Sequence, residues 1–362
     1  MPDRRPARIA ALREALTSAH IDALVLTSLP NVRYLTGFSG SSALVLVTQR
    51  DVHFMTDFRY DTQVGEEVGS IATIRIEAQS LWTGLWNLGA SLPGVEVIGF
   101  ESAHLLHRDF QRLLTEGTRW QWRPQLNLVE ALRESKDPEE VALIKEAGGI
   151  ATRALAKTLK AIRPGMTELN VAGVLEHALR DEGSEEFPFS AIVASGPRAA
   201  LPHARASSRV IQRGDLLLLD FGAQYKGYCS DVTRTVVIGP ASTEQKEIYD
   251  IVKHANAVAS SSVRAGMKGQ DADGLARRYI EEHGYGDAFG HSLGHGLGLE
   301  VHEAPRLAKT VETPLGAGAV VTIEPGIYRP GWGGVRIEDD VHLAPSGPVI
   351  LTDFTRELLE VA

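Results

Sequence analysis

The stretches GDLLLLDFG (residues 214–222) and GAVVTIEPG (residues 318–326) decide the fold of this chain. In each stretch a glycine stands six residues before an acid, Asp220 or Glu324, and a second glycine follows that acid by two residues. A short apolar run bounded by glycines is typical of a buried strand. Each stretch therefore predicts a buried strand that ends on a carboxylate.

The sequence on both sides of these strands repeats as well. Upstream, IRPGM at residues 162–166 corresponds to VRAGM at residues 263–267, each at a predicted joint between two helices. Downstream, each half turns back into a second strand with another acid, Asp231 in the first half and Glu338 in the second. Each half is thus predicted to consist of two helices followed by a pair of strands. Two such halves in succession predict an α+β domain with an internal pseudo-twofold repeat. Two such halves that face each other bring four carboxylates together.

Residues 1–125 have a different pattern, in which helical stretches alternate with short apolar runs such as ALVLVT (residues 43–48). This alternation predicts an α/β domain. The periodicity lapses over residues 125–137, and DPEE at residues 137–140 is a capping signal that begins a long helix. We therefore expect an α/β domain over residues 1–125 and the repeat domain over residues 126–362.

The composition excludes several classes of protein. With 362 residues, 43% of them hydrophobic and 23% charged, the chain has the size and character of a two-domain globular protein. Its 37 Lys and Arg against 46 Asp and Glu give a net charge of −9, so we expect no nucleic acid partner. No segment reaches the about 20 apolar residues that span a bilayer, and no signal peptide pattern is present, so we expect no membrane association. With Cys229 as the single cysteine, we expect a cytoplasmic protein.

The predicted acids indicate a metal site. Carboxylates at the ends of apolar strands are desolvated, which raises their pKa unless a positive charge compensates them. An imidazole is available in GHSLGHGLGLEVHE (residues 290–303). Four carboxylates with one imidazole form an oxygen-rich ligand set that suits two divalent ions.

Three sequence motifs of the second domain resemble those of a known family: GHGLGLEVHE (residues 294–303), TIEPGIY (residues 322–328) and GGVRIEDDV (residues 333–341). They resemble the proline-specific branch of the pita-bread metallopeptidases, aminopeptidase P and prolidase. The residues that match the metal ligands of this family are Asp220, Asp231, His295, Glu324 and Glu338. In the first domain, NVRYLTGFSGSS (residues 31–42) and TDFRYDTQ (residues 56–63) resemble the creatinase-type N-terminal domain.

The resemblance implies a mechanism as well as a fold. Asp231 would bind one of two divalent ions through both of its oxygens, and His295 would bind the other. Asp220 and Glu338 would bridge the ions or complete their ligand shells. A hydroxide between the ions would be the nucleophile, and Glu324 would be the general base that passes the proton to the leaving nitrogen. We expect Mn²⁺ in this site, with Co²⁺ or Zn²⁺ as alternatives.

Three further histidines are candidates by the same resemblance. His203 and His302 stand at near-equivalent places in the two halves. The resemblance makes both of them donors to the substrate carbonyl and to the oxyanion that forms from it. It makes His291 a wall of the pocket for the proline ring.

The role of Arg336 remains open at this stage. It stands two residues before Glu338 on a predicted strand, so both side chains point to the same face. Arg336 binds a substrate carboxylate, or it orients Asp220 or Tyr328.

Together these features predict an enzyme that hydrolyses the bond between an N-terminal residue and proline. An Xaa-Pro dipeptidase is favoured over an aminopeptidase for longer peptides. Arg33 and Arg59 are candidates to hold a dipeptide carboxylate and so to limit substrate length, and we expect a homodimer.

Two alternatives to this function remain. The first is a methionine-type or broad aminopeptidase on the same fold, which the predicted first domain opposes. The second is a non-catalytic pita-bread binding module, which the complete set of ligands opposes.

Overall fold

The computed structural model describes residues 3–362, except for the side chain of Ala90. These residues form two compact units, which divide between Arg133 and Glu134. Within residues 3–362, none of the helices combines the length and the apolar character that crossing a membrane requires.

The division between the units lies further along the chain than residue 125, where the sequence analysis placed it. The segment after residue 125 contains a helix, Leu128–Glu134, that packs within the first unit. Val129 of this helix is buried, and Arg133 donates a hydrogen bond of 2.7 Å to Asn31 Oδ1. A helix this short leaves little periodic signal, so the sequence showed only a lapse in periodicity there.

The first unit is an α/β domain built on one six-stranded sheet. Its helices are α1 (Arg5–Ser18), α2 (Leu29–Thr36), α3 (Asp61–Glu67), α4 (Leu81–Asn87), α5 (His107–Thr115) and α6 (Leu128–Glu134). Its strands are β1 (Ala23–Leu26), β2 (Leu44–Thr48), β3 (Val52–Asp57), β4 (Thr73–Glu77), β5 (Val97–Glu101) and β6 (Gln121–Gln125). The sheet order is β4-β3-β2-β1-β5-β6, antiparallel where β2 pairs with β1 and β3 and parallel elsewhere. The predicted α/β class is confirmed.

The second unit is an α+β domain. Its helices are α7 (Pro138–Ala161), α8 (Glu168–Asp181), α9 (Thr243–Ser262) and α10 (Gly269–Glu282). The strands of its first half are β7 (Ile192–Ser195), β8 (Leu216–Phe221), β9 (Gln224–Tyr225), β10 (Tyr228–Cys229) and β11 (Val232–Ile238). The second half contributes β12 (Gly294–Gly296), β13 (Glu303–Leu307), β14 (Val320–Ile323), β15 (Gly326–Arg329), β16 (Gly333–Arg336), β17 (Asp339–Ala344) and β18 (Gly347–Ile350), and β19 (Glu360–Val361) follows them.

The predicted repeat appears in the order of these elements. Helices α7 and α8 precede a four-stranded sheet of order β19-β11-β8-β7, and α9 and α10 precede a five-stranded sheet of order β13-β12-β14-β17-β18. The capping box predicted at residues 137–140 is present and begins α7. The two sheets meet at a bridge between Thr233 and Glu338, where Glu338 N donates to Thr233 O across 3.1 Å.

The apolar runs of the two deciding strands build one core in each half. Leu217 and Leu219 of β8 pack with residues of α7 and α8. Val321 and Ile323 of β14 pack with residues of α9 and α10. Because these runs are buried, the acids that end them are held at a fixed edge of each sheet, next to the bridge between the halves.

Arg234 of β11 strengthens the junction between the two halves. Its side chain is 2% exposed and donates to Asp339 Oδ1 (2.8 Å), to Glu338 O (2.6 Å) and to Thr355 O (2.9 Å). Asp339 is fully buried and also accepts from Arg356. A buried carboxylate of this kind is costly to leave without its partner.

We therefore predict that Arg234→Met lowers the free energy of unfolding by about 3–5 kcal/mol, since it leaves a buried charge undercompensated. Urea unfolding followed by circular dichroism measures this loss. Arg356→Met is the matched control, because Arg356 is 23% exposed and its loss admits water to the remaining carboxylate. Equal losses in the two variants would contradict the assigned role of Arg234.

Candidate active site

The acids predicted from the repeat lie together where the halves meet. Asp220 is in β8, Asp231 immediately precedes β11, Glu324 immediately follows β14, and Glu338 immediately precedes β17. Single ligand atoms of Asp231, His295 and Glu338 lie within 4.8 Å of one another. His295 Nε2 is 3.6 Å from Glu324 Oε1 and 3.8 Å from Asp231 Oδ2.

The position of His295 depends on the two glycines beside it. A Cβ atom on Gly294 would lie 1.9 Å from Thr322 O, and one on Gly296 would lie 2.1 Å from Ala304 O. Only glycine permits such close approach of the neighbouring strands. The glycines of GHG therefore let β12 fit between β13 and β14 and carry the imidazole to the acids.

The hydrogen bonds of His295 fix which nitrogen faces the acids. Its Nδ1 lies 3.0 Å from Gly296 O. Because a carbonyl only accepts, we assign the proton to Nδ1, and Nε2 then presents its lone pair to the acids. Burial lowers the pKa of His295 to about 4, so the ring is neutral at pH 7. A neutral imidazole with a free Nε2 is the form that binds metal.

The acids themselves are only partly compensated by positive charge. Burial, together with the charges of Glu338 and Asp220, raises the pKa of Asp231 well above its ordinary value. Burial raises the pKa of Glu338 as well, and raises that of Glu324 to about 8. Asp220 Oδ1 and Asp231 Oδ1 are buried and accept no hydrogen bond from residues 3–362. Crowded carboxylates with unpartnered oxygens fit a site for divalent cations.

Arg336 is the cation of this cluster. It donates to Asp220 Oδ2, to Tyr328 OH (2.9 Å) and to Thr233 Oγ1 (3.0 Å). Thr233 Oγ1 in turn donates to Glu338 Oε2. Of the two roles left open by the sequence, this geometry favours the orientation of Asp220 and Tyr328.

His291 continues this network. Its Nδ1 lies 2.8 Å from Ser292 O and therefore carries the proton, so its Nε2 accepts from Tyr328 OH across 2.8 Å. Burial lowers the pKa of His291 to about 4. The ring also approaches Glu324, with 3.8 Å between Nδ1 and Glu324 Oε2. The chain Arg336, Tyr328, His291 thus links the cation of the cluster to the side of Glu324.

His203 and His302 are both exposed, and each is next to a residue that contacts this cluster: the carbonyl of Pro202, beside His203, accepts from Arg336, and the ring of His302 lies beside His295. The ring of His302 is centred 4.4 Å from the ring of His295. Partial burial, followed by the charge of His203, lowers the pKa of His302. The two histidines predicted from equivalent places in the repeat are therefore near each other in space.

The sequence analysis missed several residues that support the cluster. Thr233 joins Arg336 to Glu338, Asp340 Oδ2 accepts from Asp231 N across 3.1 Å, and Thr322 Oγ1 accepts from His295 N across 3.0 Å. Each is within three residues of a predicted ligand on a strand. That proximity was the available signal, but the partners of Thr233 and Asp340 come from the opposite half.

The two arginines considered for substrate length belong to the first unit. Arg59 donates to Asp57 across 2.7 Å, in an ion pair with a largely exposed arginine. Arg33 lies in α2.

Comparisons with known proteins agree with this architecture. Residues 142–345 match the model of metallopeptidase family M24, and residues 8–135 match the creatinase/prolidase N-terminal domain. An Xaa-Pro dipeptidase from Pyrococcus horikoshii is 36% identical over 97% of this chain and 98% of its own length.

Solved structures give the same result. An Xaa-Pro dipeptidase from Bacillus anthracis is 42% identical, with a TM-score of 0.95 over 99% of this chain and all of its own. An X-Pro aminopeptidase from Thermotoga maritima is 38% identical, with a TM-score of 0.90 over 94% of this chain and 98% of its own. These likenesses confirm the predicted pairing of a creatinase-like domain with a pita-bread domain. The chain belongs to metallopeptidase family M24, a family of hydrolases that use divalent metal ions, and it carries the creatinase/prolidase N-terminal domain.

Proposed function

We propose that this enzyme is an Xaa-Pro dipeptidase that hydrolyses the bond between an N-terminal residue and proline. The observation that carries the proposal is the free Nε2 of His295 beside the acids Asp231, Glu324 and Glu338, in a chain whose relatives include Xaa-Pro dipeptidases. An Xaa-Pro aminopeptidase for longer peptides is the second candidate, because the similar Thermotoga maritima protein is described as one.

We assign the metal ligands to Asp220, Asp231, His295, Glu324 and Glu338. They would hold two divalent ions, Mn²⁺ before Co²⁺ or Zn²⁺, whose four positive charges equal the four negative charges of the carboxylates. Such ions lower the pKa of a water molecule and polarise the scissile carbonyl. The unpartnered oxygens of Asp220 and Asp231 support this assignment.

Glu324 is the residue that moves the proton. Its carboxylate accepts a proton from the attacking water and donates it to the proline nitrogen, which leaves as a secondary amine. Burial raises the pKa of this carboxyl to about 8 in the metal-free protein, and the charge of bound cations would lower it towards the ionised form that accepts a proton. Hydrogen bonding from Thr322 Oγ1 across 3.3 Å orients the Glu324 side chain.

The two exposed histidines bind the substrate. His203 and His302 donate hydrogen bonds to the carbonyl oxygen, where negative charge develops. His291 and Tyr328 form a wall for the proline ring, and Arg336 keeps Tyr328 and Asp220 in place. The enzyme works as a cytoplasmic homodimer in this proposal.

Substrate selectivity tests the proposal. The scissile nitrogen of an Xaa-Pro bond carries no N–H. A site with no hydrogen-bond acceptor at that position therefore leaves no polar group unpaired when proline binds, and the proline ring fills an apolar pocket. We predict at least a ~10-fold higher kcat/KM for Ala-Pro than for Ala-Ala, since a few buried methylenes discriminate by about 1–3 kcal/mol. Ala-Pro-Ala, measured under the same metal loading, should be the poorer proline substrate. Equal values for Ala-Pro and Ala-Ala would indicate a broad aminopeptidase instead.

Replacement of Glu324 tests its role in proton transfer. Glu324→Gln cannot accept the proton, so we predict that kcat falls by roughly 10²–10⁴-fold at saturating Mn²⁺. Metal content by mass spectrometry is measured in parallel, because Glu324 is also an assigned ligand. Glu312→Gln, at a carboxylate 77% exposed, is the control and should keep full activity. A Glu324→Gln enzyme with unchanged kcat would rule out Glu324 as the proton carrier.

A further inference from the structure

The loop of residues 196–207 carries His203 between β7 and the next part of the first half. His203 is exposed, so packing of its ring contributes little to its placement. The position of the imidazole therefore depends on how firmly the backbone of this loop is held.

Glu168, the first residue of α8, closes the base of this loop. Its side chain is fully buried. Its Oε1 accepts from Ser195 N and from Ser195 Oγ, each across 2.8 Å. Its Oε2 accepts from Ser207 N (3.0 Å) and from Ser207 Oγ (2.7 Å). One carboxylate thus holds both ends of the loop, with one oxygen for each end.

The interior of the loop is held as well. Arg198 Nε donates to Glu168 Oε2 across 3.0 Å, and Arg198 NH2 donates to Arg205 O across 2.6 Å. Pro202 O, next to His203, accepts from Arg336 NH1 across 3.3 Å. The loop is therefore fixed at its base by Glu168, across its middle by Arg198, and beside His203 by a residue of the acid cluster.

The second half holds its own histidine loop with a similar device. Asp273 of α10 is buried, accepts from Leu293 N across 3.0 Å, and is paired with Arg277. Arg277 donates to Phe289 O and to His291 O, each across 2.7 Å. By the shift that aligns the repeat, Glu168 corresponds to Gly269 and not to Asp273. The two acids thus hold different segments of their halves, Glu168 the loop that follows β7 and Asp273 the segment that precedes β12.

We propose that Glu168 is a positioning residue that sets His203 for donation to the substrate carbonyl. This inference rests on the proposed function, in which His203 acts on the developing oxyanion. A carboxylate is required because each end of the loop brings a backbone N–H, of Ser195 or of Ser207, which can only donate. A glutamine keeps one acceptor oxygen, and its amide nitrogen repels the donors at the other end. Glu168→Gln therefore releases one end of the loop.

Kinetics with Ala-Pro test the proposal in a double-mutant cycle. We expect Glu168→Gln to lower kcat by roughly 10-fold with KM nearly unchanged, since an oxyanion donor acts mainly in the transition state. In a His203→Ala background the same substitution should have no further effect, because the residue through which Glu168 acts is gone. Asp273→Asn should instead add its own loss to that of His203→Ala. A Glu168→Gln effect of the same size in both backgrounds would overturn the proposal.

Hydrogen exchange provides a readout that does not depend on turnover. We expect Glu168→Gln to speed exchange within residues 196–207 and to leave α9 and α10 unchanged. Glu182→Gln, at the other end of α8, is the matched control; it removes a carboxylate bound to Arg153 and Lys157 and should leave the loop protected. Loop exchange equal to that of the wild type would overturn the proposal.

A milder variant covers the case in which Glu168→Gln does not fold. Ser207→Ala removes one donor to Oε2 and keeps the backbone N–H. It should give a smaller loss of kcat that also disappears in the His203→Ala background, and a loss that persists there would count against the proposal. If the wild-type enzyme did not cleave Ala-Pro, the proposed function would be overturned. Hydrogen exchange of residues 196–207 would then still test whether Glu168 holds this loop.

Discussion

The second unit is organised around negative charge held away from water. Asp220, Asp231 and Glu338 are each less than 10% exposed, and Glu324 is partly buried beside them. Within residues 3–362, Arg336 is the guanidinium that reaches into this cluster, and one positive charge does not balance four carboxylates. Burial of uncompensated charge is costly, so the rest of the domain must hold these groups together until cations neutralise them.

The halves of the domain supply that restraint. The Thr233–Glu338 bridge joins the two sheets at the acids, and Arg234 and Asp339 form a buried ion pair behind it. Each half adds a buried acid on its second helix, Glu168 or Asp273, that holds the neighbouring histidine loop. The pseudo-twofold repeat therefore provides more than a matched set of acids, since it also places supporting contacts on both sides of the site.

Much of this arrangement could be predicted from the sequence. The glycine, apolar run and acid pattern predicted β8 and β14, and the repeat predicted that their acids would meet. Contacts between the halves could not be predicted, because strand register across a domain is not encoded in a local pattern. Thr233 and Asp340 were missed for this reason, and the role of Arg336 stayed open until its partners Asp220 and Tyr328 were seen. The short helix α6 was missed because about two turns of helix give little periodicity.

The central claim is that the acid cluster is a site for two divalent cations. Calorimetric titration of the metal-free enzyme with Mn²⁺ tests this claim most directly. Repeating the titration in buffers of different ionisation enthalpy measures the protons that binding releases. Burial raises the pKa of Glu324 to about 8, so this carboxyl is largely protonated at pH 7 in the metal-free protein, and burial raises the pKa of Asp231 and of Glu338 as well. Metal ligands must lose their protons, so binding releases protons and tightens as the pH rises. We predict two Mn²⁺ per chain and the release of at least one proton at pH 7. Binding without proton release, or no stoichiometric binding, would contradict this account.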